Sequence, residues 1–408
     1  MKMNFNIGGN KTKEIVTEEL VENDEDLEEL TENTSSSNNN DNYEKKRLIR
    51  MMGLILGVVI VFIILLFFIT SLFGGKKTYE EIEEIMSDAA ESYFTDHQEN
   101  LPKKDGVSQT VDVSVLAAEG YMKDLTKYTN AACTGSVKVV KSGSSYLYTP
   151  NLNCGEAYLS QELYEKVRQD NSIVASGYGL YNKDGNYVFR GEKVNNYVQL
   201  DSALWRIVKI TSGNNLVLVM DEPLGNLVPW DDRYNQEINY NAGINNYSSS
   251  RIKEKLDELY KTTDEDVITR FLSDKDKSKV VGFNLCTGKR GIEETGTEQA
   301  VECREVLKDQ KVGLLTAADY MNASIDTNCT SPSNASCQNY NYLITDTSWW
   351  LVTAATARSY DTYLVEANNG IKVTNTNMYA RLRPVIHLNT NVLYKSGSGT
   401  EEDPYIVK

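Results

Sequence analysis

The sequence predicts an α+β protein with a single transmembrane helix, and three observations carry that expectation. An uncharged run of 23 residues, MMGLILGVVIVFIILLFFITSLF, occupies 51–73. Beyond about residue 173, short β-type runs dominate, with a few helical patterns and no regular strand–helix–strand alternation. All six cysteines, Cys133, Cys154, Cys286, Cys303, Cys329 and Cys337, follow the apolar run.

The apolar run is long enough to cross a bilayer core, which needs about 20 residues at 1.5 Å each. Fifty polar residues precede it, so it reads as an anchor rather than a cleaved signal peptide. Lys45, Lys46, Arg47 and Arg50 lie before it and only Lys76 and Lys77 directly after, a bias that places the N-terminus in the cytoplasm. Cysteines confined to the far side agree, because disulfides belong outside the reducing cytoplasm. The expected layout is a cytoplasmic tail at 1–47, a transmembrane helix at 48–75, a small stem at 76–168 and a distal domain at 172–408, outside the cell.

The formal charge of −16 divides into −5 for residues 1–50 and −11 for the rest. Such an acidic balance argues against a nucleic-acid partner, which requires clustered lysine and arginine. The tail contains EELVENDEDLEELTEN and TSSSNNND, with little to bury, and reads as solvated. A basic cytoplasmic partner docking on that tail is the alternative.

In the stem, TYEEIEEIMSDAAESYF places Tyr79, Ile82, Met86, Ala89, Ala90 and Tyr93 at helical spacing above an acidic outer face. A short helix is expected at Val115–Glu119, capped by Ser114 and ended by Gly120. SVKVVKSGSSYLYTPNLNC alternates around a Ser-Gly-Ser turn, as a β-hairpin does, and Cys133 and Cys154 bracket it. A disulfide between them is geometrically natural. The order of anchor, helix, SVLAAEGYMKDL and cysteine-bracketed hairpin resembles pilin-like proteins of Gram-positive bacteria. A Gly-Phe-Thr-like processing site and a Glu just inside the apolar run are both missing, which points to a fixed stem rather than a fibre.

In the distal part, YVFR, YVQL, LWRIVKI and LVLVM read as strands separated by DG and SGN turns. NNYSSSRIKEKLDELY reads as a serine-capped helix with Ile252, Leu256 and Leu259 on one face. In VGLLTAADY, Thr316 and Asp319 have capping-box spacing. SWWLVTA, YLVEA, IKVTN and LRPVIHL return to β-type patterns. LWRIVKI, the capped helix, VGLLTAADY, SWWLVTA, ARLRPVIHL and GSGTEEDPYIV, in that order, resemble an uncharacterised bacterial surface domain. Its members are similar to the C-type-lectin-like fold shared with sulfatase-modifying enzymes.

Catalytic constellations are sparse. The sulfatase-modifying enzymes use a reactive cysteine pair near their C-terminal core, whereas no cysteine follows Cys337 here. Cys329 and Cys337 flank a short loop, and Cys286 and Cys303 flank a polar insertion, so three structural disulfides are expected. His97 and His387 are far apart, which disfavours a zinc centre, and His387 reads as a core histidine. No Gly-x-Ser-x-Gly elbow, phosphate loop or dinucleotide fingerprint occurs. DEPLGNLVPWDD offers Glu222, Asp231 and Asp232 as calcium ligands, with Pro223 and Trp230 echoing lectin motifs. Its halves lie too close together and too early for the lectin pattern, so no cofactor is expected.

What remains is a surface rich in tyrosine and asparagine, which a general compositional bias would also produce. RSYDTYLVEANNGIKVTNTNMYARLR concentrates them where lectin-like folds carry ligand loops. The candidates are Tyr360, Tyr363, Asn368, Asn369, Asn375, Asn377 and Tyr379. Neighbours on a strand face opposite ways, so of Trp349 and Trp350 one is expected inside and one exposed. Trp350 joins the candidates. The expected function is non-catalytic binding of an extracellular glycan or protein. A structural part in a pilus-like or envelope apparatus and a carboxylate-dependent hydrolase are the alternatives.

Overall fold

A sequence of short β-type runs with few helical patterns should build sheets covered by isolated helices, and it does. The computed structural model describes residues 76–104, 107–142, 145–262 and 272–408. Its helices are α1 Tyr79–Asp96, α2 Val113–Ala118, α3 Leu163–Asp170, α4 Arg251–Lys261, α5 Asp274–Ser278 and α6 Ala317–Ala323. The first strands are β1 Ser108–Asp112, β2 Thr134–Ser142, β3 Ser145–Asn153, β4 Gly179–Lys183, β5 Asn186–Arg190 and β6 Tyr197–Leu200. Next come β7 Ala203–Ile210, β8 Leu216–Met220, β9 Leu227–Pro229, β10 Phe283–Cys286, β11 Val306–Gln310 and β12 Trp349–Ala354. The last are β13 Asp361–Glu366, β14 Gly370–Asn375, β15 Tyr379–Arg381, β16 Val385–Leu388, β17 Tyr394–Ser396 and β18 Tyr405–Val407.

This mixed α and β architecture corrects the expected fold class in one respect. Among the described residues no helix is long and apolar enough to cross a membrane. The longest of them, α1, carries acidic side chains along its exposed side. The single transmembrane helix and the cell-membrane location read from the sequence are therefore not shown by the described residues. The run 51–73 and the acidic tail lie outside the described residues.

Gly75–Lys408 packs as one compact unit. In its N-terminal part, α1 lies on the three-stranded sheet β1-β2-β3 and buries Ile82, Met86, Ala89, Ala90 and Phe94 against Val137, Val139 and Leu152. Thr78 caps α1 through a reciprocal capping box with Glu81. The short helix α2 begins two residues earlier than the sequence suggests, at Val113 after Asp112, because Val113 and Leu116 are its buried anchors. Gly120, at φ +84°, follows it in the left-handed region.

The larger part has two principal sheets. One runs β16-β8-β7-β6-β18-β17, with β5 also on β7 and β4 on β5. The other runs β14-β13-β12-β15-β9. Ser250 caps α4, and the Thr316–Asp319 capping box opens α6. Strand β12 is central in its sheet and all six of its residues are buried. Both Trp349 and Trp350 are therefore inside, contrary to the expected alternation, because both faces of the sheet are covered. Trp349 packs edge-on against Tyr320 under Arg383, and the Trp350 Nε1–H donates to the Val228 carbonyl.

Three disulfides, Cys133–Cys154, Cys286–Cys303 and Cys329–Cys337, close local loops and fit an extracellular protein. The insertion between Cys286 and Cys303 is organised by the fully buried Arg290–Glu302 pair, with two 2.9 Å hydrogen bonds. Arg290 also donates to the carbonyls of Glu294, Gly296 and Glu298, and Glu302 accepts the Ala318 N–H at the start of α6.

Candidate functional site

The hairpin β13–β14 organises the candidate residues. Asp361 is opposite Asn375 at its open end, and Glu366 is opposite Gly370 at its turn. Six residues of strand separate those ends by about 20 Å. Tyr360, Asn375, Asn377 and Tyr379 belong to the open end, whereas Asn368 and Asn369 form the turn. Tyr363 lies between them, fully buried, with its hydroxyl donating to the Arg290 carbonyl at 2.9 Å. Tyr363 and Trp350 are thus core residues and leave the list of ligand contacts.

At the open end, the chain from Trp230 to Tyr247 folds beside β14 and β15. Asp231 is its organiser: completely buried, it accepts the Ile244 and Arg251 N–H groups and the Arg233 guanidinium at 2.7–3.2 Å. Both of its oxygens are spent on those donors, so the sequence echo of a calcium loop is a folded-loop anchor instead. Among the described residues no group of three or more His, Cys, Asp or Glu could hold a metal ion. Trp230 is buried and donates to the Leu351 carbonyl, which ties the loop to β12. The Thr376 hydroxyl donates to the Ala242 carbonyl and the Asn377 amide to the Asn241 carbonyl, at 2.6 and 3.0 Å.

These bonds bring three segments into one exposed surface. Tyr379 faces Pro229 across the β9–β15 pair, and Leu227 faces Arg381. Tyr240 and Tyr379 are 63% and 62% exposed, and Leu227, Tyr234, Ile238 and Met378 are exposed beside them. Sequence reasoning found Tyr379 and Asn377 but missed Tyr234, Ile238 and Tyr240. The run RYNQEINYNAGIN, directly after the DEPLGNLVPWDD segment weighed for calcium, has the same Tyr/Asn signal.

The arginines on this surface are engaged within the chain, whereas Glu237 is exposed between Tyr234 and Tyr240. Arg358 bonds Asp361 at 2.7 Å, an interaction that raises the guanidinium pKa, and Arg381 donates to the Gly225 carbonyl. No lysine occurs from Asp221 to Ile252 or from Val373 to Tyr394, although the chain has 29.

A separate cleft of about 790 Å³ runs between α1 and the larger part. Glu80, Glu84, Asp88 and Glu91 line its α1 side. The buried carboxylate, Glu83, is engaged by Ser160 and Lys408, and Lys408 also reaches the Tyr158 hydroxyl. Burial, with Glu83 beside it, raises the Tyr158 pKa. This is a polar clasp joining the two parts. His387 stacks on Phe283 at 3.9 Å, and desolvation, with Lys209 adding repulsion, pushes its pKa down to about 3. It is a neutral packing group at ordinary pH.

No protein family, curated protein or solved structure matches this chain. The lectin-like and pilin-like expectations therefore rest on the sequence phrases alone.

Proposed function

We propose that this chain is a non-catalytic binding protein whose partner is another protein, docked on the open-end surface of Tyr234, Tyr240, Met378 and Tyr379. The observation that carries the reading is a tyrosine-, methionine- and arginine-bearing surface without lysine. That composition is characteristic of protein interfaces, where lysine and glutamate are depleted. Tyrosine supplies contact area at modest entropic cost, and the flexible methionine adapts to a partner's shape. A carbohydrate would find fewer free polar groups here, since Asn377 and Thr376 are spent on the neighbouring loop.

The full-length chain, displayed on a printed array of extracellular proteins and glycans, tests this. Binding to a protein spot that falls about tenfold or more in Tyr240→Ala/Tyr379→Ala supports the reading. Binding to proteins that ignores both substitutions overturns it. Glycan binding at this surface, lost in the same variant, would overturn the choice of partner. Sedimentation of the array-competent protein distinguishes docking of a second copy, which the double variant would abolish.

A further inference from the structure

At the turn end of the β13–β14 hairpin, the surface is built differently. Gln338, Asn339, Tyr340, Tyr342, Ile344 and Glu192 line a concavity of about 640 Å³. The Asn368 N–H donates to the Thr345 carbonyl beside it, and the Gly370 backbone packs on Gln338. Tyr340 lines it, and Tyr178, outside that lining, stands against Tyr340 with ring centroids 6.3 Å apart and planes inclined by 43°. Both are exposed, Tyr340 to 52%.

Their positions are held at a cost. Tyr340 has φ +49°, a left-handed conformation that is rare for a bulky residue. Its two neighbours impose it. Asn339 accepts the Ser324 hydroxyl on its carbonyl and donates its amide to Asp326, while the buried Asn341 amide donates to the carbonyls of Tyr320 and Cys337. Gly191 lies under the Tyr178 ring, where a Cβ would come within 2.5 Å of a ring carbon. Disulfide Cys329–Cys337 ends immediately before Gln338.

We propose that this concavity is a binding site for a neutral saccharide. A sugar ring presents a face of C–H groups that suits the electron-rich face of an aromatic ring, and an edge of hydroxyls that need donors and acceptors. Tyr340 supplies a platform in the lining, and Tyr178 stands inclined beside it. The Gln338 carboxamide, the Asn339 amide oxygen and the Glu192 carboxylate supply the polar partners. The buried Tyr342 hydroxyl has no partner among the described residues. The lining carries one carboxylate and no cation, so uronic or sialic acids are disfavoured and neutral sugars fit. A single aliphatic side chain, Ile344, leaves little for an apolar peptide. This site is distinct from the open-end surface and does not depend on the protein-binding reading.

The experiment applies the full-length chain to a glycan array and titrates the bound neutral oligosaccharides by saturation-transfer NMR. Tyr340→Gly removes the platform yet suits the left-handed backbone, so it should bind at least about tenfold more weakly while melting no lower than the parent. Tyr340→Phe keeps the platform and should stay within about threefold. No neutral glycan bound, a preference for anionic glycans, or binding indifferent to Tyr340→Gly would each overturn the proposal.

Discussion

The two ends of one hairpin show how a single sheet can present two chemistries. At the open end of β13–β14, exposed tyrosines sit among Leu227, Ile238 and Met378, and the nearby amides are consumed in fastening the 230–247 loop. At the turn end the tyrosines sit among carboxamides, and the backbone rather than a long loop pays the strain. The residues between, Tyr363 above all, are buried and hold both ends in register. Tyrosine content alone therefore does not identify a ligand; what surrounds each ring does.

The comparison breaks most severely where both ends share support. Arg290→Met leaves Glu302 buried without its partner and is expected to cost about 3–5 kcal/mol. Urea denaturation should show this destabilisation, and because the backbone carbonyl of the same residue anchors the Tyr363 hydroxyl, a shift of the segment should lower both binding activities together.

A second change separates the ends. Gly243 has φ +77°, and a Cβ there would come within 2.1 Å of the Asp231 carbonyl oxygen. Gly243→Ala should destabilise by about 3 kcal/mol, combining backbone strain with a clash that no flexible side chain relieves. Protein binding should be lost and glycan binding spared, as read on the same array.

Removing the Cys329–Cys337 bridge with paired serines tests the other end. A closed loop of this short span contributes about 2–3 kcal/mol. Glycan binding should weaken and protein binding persist. Reversed sensitivities would remove the distinction between the ends.

The smallest expected effect is one of pH and should not discriminate between the ends at all. With His387 held near 3 in the fold against an ordinary 6.5, the unfolded chain takes up a proton that the native state refuses. Stability from this group is intact above about 6.5 and declines as pH falls toward 3. His387→Gln should flatten the drop in urea midpoint between those limits, compared with the parent.

Local signals were readable in the sequence. The caps at Ser250 and Thr316 and the amphipathic α1 depend on residues within a turn of each other, and all three appear. The disulfide loops were readable for the same reason, being 8, 17 and 21 residues apart. Burial was less so. Tyr363 and Tyr379 share a composition-rich segment and each lies on a strand one in from a sheet edge, yet the first sits within a buried strand and the second opens a short strand at its exposed end. Trp350 failed similarly, because alternation predicts exposure only when one face is open to water. The loop around Tyr240 reaches the connection between β14 and β15 through hydrogen bonds over about 135 residues of sequence, a separation no local pattern encodes.

The most direct test is hydroxyl-radical footprinting of the full-length chain bound to its array-selected protein partner, mapped by mass spectrometry. The account predicts protection of Tyr234, Tyr240, Met378 and Tyr379, with Tyr178 and Tyr340 as reactive as in the free chain. Protection confined to Tyr178 and Tyr340, or to the acidic side of α1, would contradict it.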